Sequence, residues 1–252
     1  MPLIDDRYVT ASNLSEGWLE AVRLLHATKG EKVVHLIVRI AHPQDEVPEI
    51  RAAAQHLIDD WNAAHTKEMP DVETTRNTIF PAAWASRTDG PEELAAYYRE
   101  RYTKDGLLGF NNNKRGTYFG RIVAYPRGED TPGDQLSETI RKLSEELEHS
   151  GPKSSRYEIN IYSEAHDTSP MSFPCLAHLS VHLHGGEIHL QAVYRNESLI
   201  DRGYGNYLGL AQLQAYIAKQ AGAEPGELMI TAGHAELGGQ RGAVTRMLKA
   251  LA

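Results

Sequence analysis

Leu14, Trp18, Val22 and Leu25 recur every three or four residues through "SNLSEGWLEAVRLLHATKG", the period of a helix with one buried stripe. Ser12 or Asn13 can cap that helix and Gly30 stops it. "KVVHLIVRIA" (32–41) is a continuous apolar, β-branched run and predicts a buried strand. Helical spacing returns in "EVPEIRAAAQHLIDDWNAAH" through Ile50, Ala54, Leu57, Ile58 and Trp61. Residues 66–116 are mostly polar, with one helical segment, "PEELAAYYRERY", and a turn-rich break at "GFNNNKRG". "TYFGRIVAYP" then predicts a strand, and "DQLSETIRKLSEELEHS" a helix with Leu136, Ile140, Leu143 and Leu147 on one face. "RYEINIYS" alternates, and two further alternating runs flank Gly185–Gly186, the pattern of a hairpin. "NYLGLAQLQAYIAKQAG" predicts a mostly apolar helix closed by Gly222, and "EPGELMITAG" a tight turn into a last strand.

Strands outnumber helices in the second half and pair through hairpins, which predicts an α+β fold with one mixed or antiparallel sheet flanked by helices. No repeat and no break in composition divides the 252 residues, so one domain is expected. The formal charge of −8 disfavours broad binding to nucleic acid, but two or three arginines suffice to hold a small phosphorylated ligand. A single cysteine rules out an intramolecular disulfide framework and a cysteine-rich zinc site, and suits a reducing compartment. "MPLIDDRYVTASN" has no basic, apolar leader and no apolar run is long enough to span a bilayer, so the expected location is the cytoplasm, away from membranes.

The lone cysteine lies in the hairpin. With the turn centred on Gly185–Gly186, residues whose numbers sum to 371 face each other, which sets Cys175 opposite Asn196 and beside Arg195, give or take a bulge. A neighbouring guanidinium favours the reactive thiolate, whereas the bland alternative is a small buried hydrophobe. His178, His182 and His184 share one strand face and His189 joins them across the ladder. His182, His184 and His189 are therefore a candidate transition-metal site, against a plain polar sheet face or one packed on another subunit.

Further spacings carry a resemblance. Pro174-Cys175 is followed after 20 residues by Arg195 in "YRNE", after 11 more by Asn206, then by an apolar helix, Gly222 and Pro225-Gly226. "SSRYEINIYS" brings Arg156, and "GTYFGRIVAYP" brings Tyr118 and Phe119. This series resembles the thymidylate synthase and dCMP hydroxymethylase superfamily over about residues 115–237, while residues 1–114 diverge. The resemblance implies that family's α+β fold and a homodimer packed through its sheets. It implies Cys175 as the nucleophile that adds to a pyrimidine nucleoside monophosphate, and 5,10-methylenetetrahydrofolate as one-carbon donor for methyl or hydroxymethyl transfer to C5. Arg195 and Arg156 would hold the phosphate, Asn206 the base edge, and Phe119 or Tyr118 would stand at the family's active-site tyrosine.

The chain also departs from the family's pattern. Leu176 follows the cysteine where the family has His, Asn196 and Ser198 replace its Ser and Asp, and Glu236 and Gly238 stand where a ribose-binding His and Tyr are expected, with His234 nearby. A proline in "TIFPAAWA" occupies the place of the family's general-acid Glu, which leaves Glu92, Glu93 and Glu100 as substitutes. "GAVTRMLKALA" replaces an apolar tail that closes over the folate. These changes point to an unusual nucleotide, or to a nucleotide-binding or scaffold protein without folate chemistry.

Overall fold

The computed structural model describes residues 7–110, 113, 116–126, 133–149, 157–169 and 174–252. Strand β1 (Tyr8–Asn13) runs straight into helix α1 (Leu14–Ala27), capped by Asn13, whose side chain accepts from the Glu16 N–H. β2 (Lys32–His42) and α2 (Pro48–Ala64) follow where the apolar spacing predicts them. The mostly polar stretch 66–116 holds α3 (Val72–Ile79), the short α4 (Ala82–Ala85) and α5 (Pro91–Arg101). Helices α6 (Tyr118–Val123) and α7 (Gln135–Glu148) precede β3 (Glu158–Asn160), the hairpin β4 (Leu176–His184) and β5 (Glu187–Tyr194), and the two-residue β6 (Glu197–Ser198). A π-helical turn, Leu199–Gly203, leads into α8 (Tyr204–Ala221), then β7 (Glu224–Glu236) and α9 (Arg241–Ala250).

The strands form one mixed sheet in the order β1-β2-β7-β5-β4-β3, with β6 also on β7. β1 is parallel to β2, and β5 and β6 are parallel to β7; the other neighbours are antiparallel. The hairpin keeps the expected sum of 371 from His178 to His184, then slips at Ala177, so that Leu176 pairs with Tyr194. Gly185 and Gly186 turn it with φ of 62° and 85°, a conformation that side-chain-bearing residues adopt at a cost.

Three expectations are corrected. "TYFGRIVAYP" is not a strand: the Thr117 hydroxyl accepts from the Gly120 N–H and starts α6, and this local cap outweighs the β-branched composition that followed it. β2 is buried on one face only, with Leu36, Val38 and Ile40 inside and Arg39 outside, so its apolar run does not mark a strand covered twice. "EPGELMITAG" is extended from Glu224 onward, and a bulge between the partners of Ile188 and Leu190 takes the place of the tight turn. Leu147, at the end of its stripe on α7, is 38% exposed.

The inner face of the sheet packs against α1, α7 and α8, and α8 is buried along almost its whole length. That depth is possible because α3 crosses α8 at glycines: a Cβ on Gly205 would lie 2.6 Å from the Thr75 Cβ, and one on Gly209 2.8 Å from the Ile79 Cβ. The fully buried Gln214 of α8 donates to the carbonyls of Ile188, Gly226 and Glu227 and so holds the β5–β7 bulge. The outer face carries half-exposed rows, one of them Ile37, Thr231, Val193 and His178 on four adjacent strands. Among the described residues no helix is long and apolar enough to cross a membrane.

Candidate active site

Strand β5 does not continue smoothly into β6. The two share β7 as neighbour, but Arg195 and Asn196 lie between them, and the Arg195 carbonyl accepts from the His234 N–H. On the other side the Arg195 N–H donates to the Cys175 carbonyl at 2.8 Å, just beyond the slip at Ala177. Strand irregularities of this kind re-aim side chains, and here they gather Pro174, Cys175 and Arg195 at one end of the hairpin. The Arg195 side chain is exposed, and its Nε donates to the Pro174 carbonyl at 3.3 Å.

Cys175 is a free, half-buried thiol packed against the core. Two tyrosine hydroxyls lie within its electrostatic reach. Tyr118, the first residue of α6, has its hydroxyl turned inward to face the backbone of Leu176; burial first, then the Cys175 sulfur, push it up to about 12. Tyr194, 1% exposed at the end of β5, is raised by burial, then by Glu197 and more weakly by Cys175. Of the two residues that the resemblance offers, Tyr118 is the one turned toward Cys175; Phe119 points the other way, fully buried, 4.8 Å centroid to centroid from Tyr98 and 5.9 Å from Phe80. Behind α6, Arg121 forms a two-pronged ion pair with the buried Asp167, at 3.0 and 2.7 Å, which ties the helix to the loop after β3.

Glu197 is not among the residues that the sequence pattern or the resemblance singles out. It is 2% exposed, on the inner face of β6, and neither carboxylate oxygen has a well-formed hydrogen bond. The Asn206 amide on α8 faces it and offsets a small part of the effect of burial, which lifts the Glu197 carboxyl to about 8. At neutral pH that group is mostly a neutral acid. Its field reaches Tyr118, Tyr194 and Tyr207, and the hydroxyls of Tyr194 and Tyr207 are buried without partners as well. A cluster of buried, unsatisfied polar atoms is costly to fold unless a ligand completes it. In "YRNESLI" Glu197 stands between the polar Asn196 and Ser198, so only its parity with the apolar Leu199 along the chain hinted that it turns inward.

Asn206 is buried in the first turn of α8, facing this carboxyl. Its position depends on the preceding turn, which is fixed by the Trp18 indole donating to the Leu199 carbonyl at 2.8 Å and by Tyr204 bonded to Ser15 and Glu46. The same turn supplies Arg202, also absent from the expected set: it is exposed, and its charge lowers Tyr118 slightly against burial. Asp201 is raised by burial and faces Ser198 and the Gly239 N–H, yet Asp201 Oδ1 and Ser198 Oγ lack well-formed hydrogen bonds.

The remaining expected residues divide. Asn196 and His234 meet, Oδ1 to Nδ1, at 2.6 Å, and Glu236 pairs with Lys32 at 3.3 Å at the end of the sheet. Arg156 lies outside the described residues. Glu92, Glu93 and Glu100 are corrected as acid candidates, for all three are exposed on α5: Glu93 caps Asp89 and Glu100 pairs with Arg101. His182, His184 and His189 share a shallow pocket on the outer face, about 360 Å³, with Arg39 and Met229. There His182 bonds Ser180 and His189 Nδ1 accepts from the Glu227 N–H, and among the described residues no three metal-ligating side chains converge.

Chemically, a thiol with Arg195 beside it and a buried neutral acid with Asn206 beside it both reach the hydroxyls of Tyr118 and Tyr194, and Arg202 adds a second cation near Tyr118. That set suits attack of sulfur on a polarised, anionic ligand, with a proton available from the protein.

No family model matches the chain. A protein of Methanothermobacter thermautotrophicus named "Putative thymidylate synthase" is 27% identical over 131 residues, 52% of this chain and 54% of that protein. One of the same name from Methanosarcina acetivorans is 29% identical over 147 residues, 57% of this chain and 63% of that protein. The chain spans between about half and just under two thirds of the length of these curated relatives. Their names support a weak thymidylate synthase-like relationship and no more.

Proposed function

We propose that this chain is a pyrimidine-nucleotide C5 methyl- or hydroxymethyltransferase of thymidylate synthase type. The observation that carries the reading is the arrangement around Cys175: Arg195 beside it, and the buried Glu197–Asn206 pair behind the tyrosines it reaches. The Cys175 sulfur adds to C6 of the pyrimidine ring, which makes C5 nucleophilic. Arg195 holds the phosphate with a second cation from Arg202, and the Asn206 amide hydrogen-bonds the base edge. When bound, 5,10-methylenetetrahydrofolate supplies the one-carbon unit. The buried, unsatisfied Ser198 and Asp201 oxygens beside the Arg202 cation fit its polar ring edge and acidic tail. A homodimer would pack through the outer face of the sheet, where the half-exposed row of Ile37, Thr231, Val193 and His178 runs across four strands.

Tritium release from [5-³H]-labelled dUMP, UMP, dCMP and CMP, with and without methylenetetrahydrofolate, tests the reaction. Release from one of them, abolished by Cys175→Ala, is expected. If none releases tritium and Cys175→Ala binds nucleotide as tightly as the wild type, the chain is a nucleotide-binding protein rather than a transferase.

A further inference from the structure

Within the described part of the site Glu197 is the acid whose placement is hardest to explain structurally. A carboxyl that only supports a fold is normally met by an arginine, a lysine or a helix N-terminus, and Glu197 is met by none of these. Facing it are Asn206 and Tyr207 from α8, Tyr194 from β5 and Tyr118 from α6, with Cys175 and Arg202 beyond, through the same tyrosines. Its two oxygens are unpaired and shielded from water. A buried carboxyl with a spare proton, free lone pairs and a nucleophile's neighbours around it has the attributes of an acid–base group.

We propose that Glu197 is the proton carrier of the Cys175 site, giving its proton to the exocyclic oxygen of the bound pyrimidine and taking it back. The inference rests on the transferase reading above. As the Cys175 thiolate, its proton already released to solvent, forms its bond to C6 of a uracil nucleotide, the C5–C6 π pair shifts toward C4 and the C4–O π pair moves onto oxygen. Glu197 breaks its O–H bond to that oxygen and becomes a carboxylate. The enol then takes a proton from solvent at C5, its O–H proton returns to Glu197, and loss of the original C5 hydrogen with expulsion of sulfur restores the ring. Electrons and protons balance without an oxidant or any further reactant. The raised affinity of Glu197 for its proton keeps the acid form available at neutral pH.

The test pairs Glu197→Gln and Glu197→Asp with the wild type in two measurements, C5 tritium exchange and the infrared carbonyl stretch of protonated carboxyls. Glu197→Gln is expected to lose about 100-fold or more of the exchange rate, the usual contribution of a general acid–base group, with nucleotide affinity changed less than about threefold. Wild type is expected to show a protonated carboxyl at pH 7, absent in Glu197→Gln and retained in Glu197→Asp, which keeps part of the exchange. Exchange by Glu197→Gln at the wild-type rate, or a wild-type spectrum at pH 7 without that band, overturns the assignment of Glu197. A wild type that shows the band but exchanges no nucleotide overturns the transferase reading itself, and the proton transfer with it.

Discussion

Replacing Glu197 by Gln is expected to shift stability in favour of the variant by an amount that grows with pH. The folded-state carboxyl lies at about 8 against 4.5 when solvated, so between those values the folded chain holds a proton that the unfolded chain has released. Stability from this group is fully present below pH 4.5 and is lost as pH rises to about 8. Each pH unit in that window costs about 1.4 kcal/mol, so the wild type gives up about 3 kcal/mol by pH 7 and about 5 by pH 8.5. A glutamine does not titrate, and whatever its amide costs in the same place is independent of pH. The difference between variant and wild type should therefore shift in favour of the variant by about 3 kcal/mol or more between pH 5 and pH 8.5. Urea unfolding at intervals across that range reads it as a midpoint difference at constant slope. For a chain of this length the same change corresponds to a widening gap of roughly 6–12 °C in Tm. A difference that stays flat across the range would refute the picture of a buried, unpaired carboxyl.

Three other outcomes follow from the packing. Gly205→Ala should cost about 1–3 kcal/mol in chemical unfolding, because its Cβ would lie 2.7 Å from the Val72 carbonyl where α3 crosses α8. Asp167→Ala leaves the largely buried Arg121 without its partner and should cost about 3 kcal/mol; a loss under about 0.5 kcal/mol would show that Arg121 finds water instead. Thr117→Ala removes the cap of α6 and the 2.6 Å bond to the Tyr98 hydroxyl, at about 1 kcal/mol, and should slow any reaction of Cys175 by displacing Tyr118, as stopped-flow and thermal unfolding can both show.

How much of this was legible depended on whether a feature was local. The hairpin register could be counted from Gly185–Gly186 because a two-residue turn pairs strands by arithmetic, and it holds until the slip at Ala177. α1, α2 and α7 carry their own period, α8 is legible as a long apolar run, and Asn13 and Gly222 mark two of their ends. β1 was missed because "YVTASN" has no second apolar run beside it; its pairing to β2 is parallel and arises only in the folded chain. α6 was misread because six residues hold too little of either period to outvote composition, while the cap at Thr117 acts through one hydroxyl. Phe119 and Tyr118 could not be told apart while the segment was taken as a strand; in a helix consecutive residues diverge by about 100°, which sends one to the core and the other to Cys175. Glu197 was passed over because it stood between two positions chosen by resemblance, Asn196 and Ser198. Its significance comes from burial by α8, more distant in the fold than any local pattern reaches.

The central claim is that the Cys175 sulfur attacks C6 of a pyrimidine nucleotide. A nucleotide with fluorine at C5 tests it most directly, since fluorine cannot leave as a cation and the adduct is held once the one-carbon donor has been taken up. Intact-mass measurement after incubation with 5-fluoro-dUMP, 5-fluoro-UMP and 5-fluoro-dCMP, each with methylenetetrahydrofolate, should show the combined mass of nucleotide and folate added at Cys175 in wild type and none in Cys175→Ala. An unmodified wild-type mass with all three, or an adduct that persists in Cys175→Ala, would contradict it.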